Sequence, residues 1–306
     1  MLLALDVGNT NTVLGLYRLA PPELAAHWRI TTQRLQADEY GALFLNLFAL
    51  NHIEAAEVSS IVISSVVPPV ESILREVCER YFHVKPVFVE PGIKTGMPIL
   101  VDNPAELGAD RLVNSVAALA QYGGPCIIVD FGTATTFDVV SAKGEYLGGV
   151  IAPGLGLSAE ALFSRAARLS RVDIKKPSKV VGTNTVACLQ SGLYYGYIGL
   201  VDGILERILH ETFGREPARQ EGSAAAAAGR EAGNSSQASH PGPHPHQGSP
   251  VKIVATGGLA RLVAPDSKYI ATIDDMLTLD GLRLIYERNR ATKAKHAPGD
   301  PAVRAF

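Results

Sequence analysis

Two short stretches of the sequence place an aspartate, a glycine and hydroxyl side chains in the same order. Asp6 follows an apolar run and precedes Gly8, and Asp130 precedes Gly132 in the same way 124 residues later. Glycine lets a turn approach a ligand closely, and the N–H groups and threonine hydroxyls after it can donate to phosphate oxygens. A carboxylate meets phosphate only through a cation, so both aspartates are predicted to face Mg²⁺ or another ion.

The duplication favours a functional interpretation over two ordinary turns. Asp, Gly and Asn are common in turns, so a single copy would indicate only a plain hairpin. Here residues 3–12 align with residues 127–136, and each copy opens one half of the chain. Two such hairpins that face each other across a cleft between domains would clamp a nucleoside triphosphate from both sides.

Other phosphate-binding motifs explain less of the sequence. No GxxxxGK[ST] pattern is present, which excludes a P-loop. Residues 154–159 match the GxGxx[GA] dinucleotide fingerprint, and Asp173 follows at nearly the ribose-binding distance. A nicotinamide-dependent oxidoreductase is therefore an alternative, although it leaves the twin hairpins unexplained. The plainer alternative for these glycines is a mobile loop that caps a helix.

Hydrophobic periodicity predicts the elements that must position these residues. Strands are predicted at 2–5, 13–19, 27–31, 60–67, 126–129, 135–141, 146–152 and 252–256. Helices are predicted at 38–50 with Asp38 as the N-cap, after Pro69 to about 81, and at 109–122, 185–213 and 279–289. The alternation predicts an α/β protein with an antiparallel hairpin at the start of each half.

Composition narrows the class of protein. A chain of 306 residues, 47% hydrophobic and 19% charged, suits two folded domains of ~150 residues each. The net charge of −2 argues against nucleic acid as the main partner. Three cysteines without a CxxC pair indicate neither a disulfide framework nor a zinc site. Without a signal-peptide pattern or an apolar run of ~20 residues, the protein is expected to be cytoplasmic and not bound to a membrane.

The segment at about 215–250 differs from the rest of the chain. It contains an alanine run and a stretch in which His240, His244 and His246 alternate with prolines and a glycine. Its lack of apolar periodicity predicts a disordered low-complexity insertion. Metal binding by the three histidines is the alternative.

Six motifs in order resemble those of type III pantothenate kinases. They are DVGNT at 6–10, GADR at 108–111, DFGTATT at 130–136, GGVIAPG at 148–154, GTNT at 182–185 and TGG at 256–258. The resemblance covers the chain except 215–250 and about the last dozen residues. It implies the duplicated ribonuclease-H-like fold of actin-like ATPases, with an N-terminal domain at 1–120 and a C-terminal domain at 121–306. It also implies ATP-dependent phosphorylation of pantothenate, the first step of coenzyme A biosynthesis, by a homodimer.

The resemblance also assigns roles to individual residues. The ATP-binding residues would be Asp6, Val7, Gly8, Asn9, Thr10, Asn11, Thr12, Val13 and Thr133. The residues in contact with pantothenate would be Gly108, Ala109, Asp110, Arg111 and Thr185. Asp130 would ligate a monovalent cation, K⁺ or NH₄⁺, and Asp6 would meet Mg²⁺ through water. Asp110 would accept the substrate proton as a carboxylate with an ordinary pKa of ~4.

Each of these residues has a plainer interpretation. Asp110 at a helix start favours the helix dipole, Arg111 would usually be a solvated charge, and Thr185 or Asn184 can be an N-cap. Val101 stands where the family usually has an aromatic residue, so one substrate contact is expected to be lost or replaced. An accessory transcription regulator of the same fold is a further alternative, although no helix-turn-helix or basic cluster supports it.

Overall fold

Two mixed five-stranded sheets form the framework of the protein. The computed structural model describes residues 1–166, 171–214 and 250–295, so the predicted insertion and its histidines lie outside the described residues. The first sheet contains β1 (Leu2–Val7), β2 (Asn11–Leu19), β3 (Pro22–Thr31), β4 (Ser60–Ser65) and β5 (Val87–Phe88). The second contains β6 (Cys126–Phe131), β7 (Ala134–Val140), β8 (Tyr146–Pro153), β9 (Lys252–Thr256) and β10 (Thr272–Ile273).

The two sheets have the same topology. Their strand orders are β3-β2-β1-β4-β5 and β8-β7-β6-β9-β10. In each, the first three strands form an antiparallel meander, and the fourth pairs parallel with the first. The internal repeat is therefore a repeat of architecture, and the duplicated ribonuclease-H-like fold is confirmed.

Seven α-helices accompany the sheets in the described part of the chain. They are α1 (Ala37–Ala49), α2 (Pro68–Tyr81), α3 (Ala109–Tyr122), α4 (Leu155–Arg165), α5 (Thr185–Phe213), α6 (Ala260–Val263) and α7 (Leu277–Lys295). Helix α3 packs on α7 and on β6 and β7, whereas α7 packs on β1, β2 and β4. The last helix of the chain thus covers the first sheet, and one shared core lies between the two sheets.

Strand alternation carries both aspartates to the edge of this shared core. Leu2 and Ala4 of β1 lie in the core, and side chains two residues apart share a face, so Asp6 follows them on the same face. Ile128 of β6 precedes Asp130 in the same way. Both carboxylates therefore stand at the carboxyl ends of central strands, on the faces that look into the space between the sheets.

The element boundaries differ from the predicted ones in places. Strand β1 continues to Val7, so Asp6 lies within the strand, because it pairs with both β2 and β4. Helix α1 begins one residue earlier, and its N-cap is Gln36 rather than Asp38, because Gln36 and Glu39 form a capping box. The two-residue strands β5 and β10 were not predicted, since they are too short to show periodicity. Within the described ranges, no helix combines the length and apolar character needed to span a bilayer.

Candidate active site

The tips of the two repeated hairpins meet. The glycine amide closes each tip, with Gly8 donating to the Asn11 carbonyl at 3.0 Å and Gly132 donating to the Ala134 carbonyl at 3.1 Å. The hydroxyl oxygens of Thr10 and Thr133 lie 2.8 Å apart, with both residues exposed. The two hairpin tips therefore touch, which places the predicted ATP-binding residue Thr133 next to those of the first hairpin.

Neighbouring residues hold each tip in place. After β3, the Thr32 amide donates to the Thr10 carbonyl at 2.9 Å, and its hydroxyl donates to the Gly8 carbonyl at 2.8 Å. At the second tip, the Gly154 amide donates to the Thr133 carbonyl at 3.1 Å. A Cβ at Gly154 would lie 2.3 Å from the same oxygen, so only glycine permits this approach.

The glycines at 154–159 do not form a dinucleotide site. The fingerprint requires a parallel βαβ unit, whereas β8 is antiparallel to β7 and lies at the end of its sheet. Gly154 is the N-cap of α4, which agrees with the helix-capping interpretation. Gly154 therefore supports the second hairpin tip, and the structure does not provide the fold that the oxidoreductase alternative requires.

Asp6 and Asp130 are partly buried carboxylates with raised pKa values. Burial and the charges of Asp110 and Asp130 raise the pKa of Asp6 to about 8. Burial and the charges of Asp110 and Asp138 raise the pKa of Asp130 to about 7. The Asn114 amide donates to Asp130 Oδ2 at 3.0 Å and partly offsets this rise. The aspartates thus form one acidic region in which each carboxylate disfavours negative charge on its neighbours.

This region fits a cation. Ser64 is paired with Asp6 in the sheet register, and its buried hydroxyl interacts with the Asp6 carboxylate and lowers the pKa of Asp6 against the larger effect of burial. Carboxylate and hydroxyl oxygens are ligands that hard cations accept. In the described ranges, no three acidic, His or Cys side chains converge closely enough to hold an ion alone. Water and phosphate oxygens would have to complete the coordination, as is usual for Mg²⁺.

Asp110 lies at the start of α3, next to the two central aspartates. Its Oδ1 accepts a hydrogen bond from the Arg111 amide at 2.8 Å. Burial raises the pKa of Asp110 above its ordinary value, and the Arg111 amide and charge offset only part of this rise. The expected ordinary pKa was therefore wrong. A raised pKa brings the carboxylate closer to the working pH of a general base.

The side chain of Arg111 is held by Asp138. Arg111 donates to Asp138 Oδ1 from both Nε and Nη2 at 2.8 Å, and the Tyr146 hydroxyl donates to the same oxygen at 2.7 Å. Asp138 is fully buried and the Arg111 side chain is 16% exposed, so the solvated-charge interpretation of Arg111 was wrong. A Cβ at Gly149 would lie 2.7 Å from Arg111 Nη2, so glycine leaves room for the guanidinium.

Sequence reasoning missed Asp138 and Tyr146. A signal was present, since Asp138 is the one charged residue in the otherwise apolar or hydroxyl-bearing strand β7. A buried carboxylate in such a strand requires a partner, and Arg111 on α3 provides it. Val101, which replaces the family's aromatic residue, packs against the shared core, with its Cγ1 3.9 Å from the Cβ position of Gly148.

Thr185 lies apart from the Asp110 group. It is exposed at the start of α5, beside Leu162 and Cys188. Asn184 is the N-cap of α5, because its Oδ1 accepts from the Ala187 amide at 2.9 Å. Among the described residues, no hydrogen bond or ion pair joins Thr185 to Asp110 or Arg111. Its predicted contact with substrate remains a prediction.

The sequence of the chain is similar to those of type III pantothenate kinases over nearly its whole length. A family model described as type III pantothenate kinase matches residues 2–207. The type III pantothenate kinase of Koribacter versatilis (strain Ellin345) is 58% identical over 308 residues, covering 98% of this chain and 100% of its own. That of Acidobacterium capsulatum is 51% identical over 300 residues, covering 96% of this chain and 97% of its own.

Among solved structures, a protein from Campylobacter jejuni has a similar fold over nearly the whole chain. It is the conserved putative Baf family transcriptional activator from Campylobacter jejuni, with a TM-score of 0.53 and 16% identity. The match covers 94% of this chain and 99% of that one. At this identity the similarity supports the fold alone, and its name describes only that protein.

Proposed function

We propose how the cleft transfers a phosphoryl group, from the premise that the chain belongs to the type III pantothenate kinase family and phosphorylates pantothenate with ATP. This reaction is the first step of coenzyme A biosynthesis. The observation that carries the proposal is the contact between Thr10 and Thr133, which brings both hairpins to one cleft. Asp110 lies close enough to raise the pKa values of Asp6 and Asp130 below those hairpins.

The triphosphate binds against the two hairpin tips, on the side where their hydroxyls meet. Backbone N–H groups at residues 9 and 10 and the hydroxyls of Thr10 and Thr133 donate to its oxygens. Asn9 and Asn11 add amide donors from the first hairpin, while Val7 and Val13 shape the strand ends. Phosphoryl transfer needs positioning and charge stabilisation more than covalent help, and two fixed hairpins provide positioning.

The two central carboxylates hold cations beside the phosphates. Kinases use ATP with a divalent cation, usually Mg²⁺, which neutralises charge on the phosphoryl oxygens when bound. Asp6 would meet Mg²⁺ through water, and Asp130 would ligate a monovalent cation, K⁺ or NH₄⁺. The proposal is supported by the proximity of the two partly buried carboxylates and by the hydrogen bond from Asn114 that fixes Asp130.

Asp110 accepts the proton of the pantothenate hydroxyl. Its raised pKa and its place beside the central aspartates support this role. Arg111, fixed by Asp138, orients the polar substrate, and Gly108 and Ala109 border it at the start of α3. Thr185 contributes a further substrate contact.

The assembly is proposed to be a cytoplasmic homodimer that binds neither nucleic acid nor membrane. The homodimer is supported by one face of α5. On this face Gly192, Gly196 and Gly199 are exposed, and a Cβ on each would meet no atom within 4 Å. Val186 on the same helix and Val181 just before it are also exposed. Such a face suits helix packing against a second copy. Each copy would comprise domains at 1–120 and 121–306.

A substrate panel tests the proposed reaction. Purified full-length protein with ATP, Mg²⁺ and KCl is assayed for ADP release against pantothenate, acetate, glycerol and a sugar. We expect release with pantothenate alone, and a new phosphate monoester in the ³¹P spectrum. Release with a sugar but not pantothenate would contradict the function while leaving the fold intact. Equal rates in KCl and NaCl would remove the monovalent-cation role of Asp130.

A further inference from the structure

Arg29 lies in the same cross-strand row of the first sheet as Asp6. In the sheet register, Asp6 of β1 is paired with Val13 of β2, and Val13 is paired with Arg29 of β3. Paired residues on neighbouring strands point to the same face of a sheet. Arg29 therefore projects from the face that carries Asp6, two strands away from it.

The Arg29 side chain reaches from the first sheet to the second half of the chain. A Cβ at Gly258, which follows β9, would lie 3.0 Å from Arg29 Nη1. The positive charge of Arg29 lowers the pKa values of both Asp6 and Asp130, against the larger effect of burial. The guanidinium thus faces both hairpins of the cleft from one side.

Arg29 is available to a ligand. No hydrogen bond or ion pair links it to another residue in the described ranges, and it is exposed. Arg111, which also lies near these aspartates, already forms a salt bridge with Asp138. A cleft with this many carboxylates repels a triphosphate, so a free guanidinium that faces it supplies the missing positive charge.

We propose that Arg29 binds the terminal phosphoryl group of ATP and stabilises the charge that develops on it during transfer. This inference rests on the proposed function. Guanidinium groups bind phosphate oxygens in a bidentate geometry that lysine cannot reproduce. The sheet register fixes the base of the side chain, and the glycine at 258 leaves space for its tip.

Binding and turnover of three variants test the proposal. Arg29→Gln and Arg29→Lys are compared with Arg18→Gln, which alters an exposed arginine on β2 that pairs with Glu23. Calorimetry measures the binding of ADP and of a non-hydrolysable ATP analogue with Mg²⁺, and an ADP-release assay measures kcat. Thermal melting confirms that each variant is folded.

The expected result separates the terminal phosphate from the rest of the nucleotide. Arg29→Gln should weaken the binding of the ATP analogue by about tenfold or more and leave the affinity for ADP within twofold of wild type. It should also lower kcat by ~10³, the lower limit for arginine fingers. Arg29→Lys should recover only part of the loss, and Arg18→Gln should match wild type. Analogue affinity and kcat within twofold of wild type for Arg29→Gln would overturn the proposal, as would an equal loss for ADP. If wild type binds the analogue without phosphorylating pantothenate, the proposed function fails while the binding comparison still decides the role of Arg29.

Discussion

The hydroxyl oxygens of Thr10 and Thr133 lie 2.8 Å apart, although 123 residues separate them in the sequence. Each belongs to the tip of one repeated hairpin, and each hairpin comes from a different sheet. The contact therefore reports how the two halves of the molecule are placed relative to each other. It also places two hydroxyl donors where one phosphate group can accept from both.

Replacing either threonine with valine should weaken ATP binding while keeping the β-branched shape. A hydrogen bond to a charged group contributes about 1.5–3 kcal/mol, which corresponds to a loss of roughly tenfold or more in affinity. Because the hydroxyls share a partner, the effects of Thr10→Val and Thr133→Val should not add in the double variant. Calorimetric titration with ATP measures all three, with Thr272→Val on β10 as the control. Additive losses would indicate that the two hydroxyls act independently.

Tyr146→Phe tests whether Asp138 positions Arg111. Losing the hydrogen bond to Asp138 should cost about 1 kcal/mol of stability and loosen the guanidinium, so the KM for pantothenate should rise several-fold while the KM for ATP stays unchanged. Tyr122→Phe is the matched control, because the Tyr122 hydroxyl donates to Asp274 at 2.9 Å. It should lose similar stability without a change in either KM. If the KM for pantothenate is unchanged in Tyr146→Phe, the hydrogen bonds among Tyr146, Asp138 and Arg111 have only a structural role.

The stability of the nucleotide-free protein should fall as pH rises towards 8. In the folded state the pKa values of Asp6 and Asp130 are raised to about 8 and about 7, whereas aspartates in the unfolded chain have pKa values of ~4. Between these limits the folded state binds more protons, so the free energy of unfolding decreases with increasing pH. Melting temperatures from pH 5.5 to 8.5 should fall less in Asp130→Asn than in wild type. Parallel curves for the two proteins would contradict the raised pKa of Asp130.

The sequence predicts the parts of the site that depend on local patterns. The two Asp-x-Gly hairpins, the start of α3 and the long helix α5 follow from turn residues, capping and periodicity. Asp138 and Tyr146 were missed because their partner Arg111 lies on another element, and their role appears only when α3 packs on β6 and β7. Arg29 was missed because its place beside Asp6 depends on the register across three strands.

The packing of α7 on the first sheet was also beyond sequence reasoning. Its apolar stripe predicts a buried face but does not say which sheet covers it. In the structure Leu282 and Ile285 of α7 share a core with Leu2 and Ala4 of β1, from the opposite end of the chain. Long-range contacts of this kind leave no periodic signal.

The proposed mechanism requires Asp110 to accept the substrate proton while the hairpins of Asp6 and Asp130 hold the nucleotide. Asp110→Asn keeps the shape of the side chain and removes the acceptor, so kcat should fall by ~10²–10⁴. ATP affinity, measured by calorimetry on the same preparation, should stay within twofold, and Asp38→Asn on the exposed face of α1 should behave as wild type. A kcat within threefold of wild type would reduce Asp110 to a helix-start residue and contradict the mechanism.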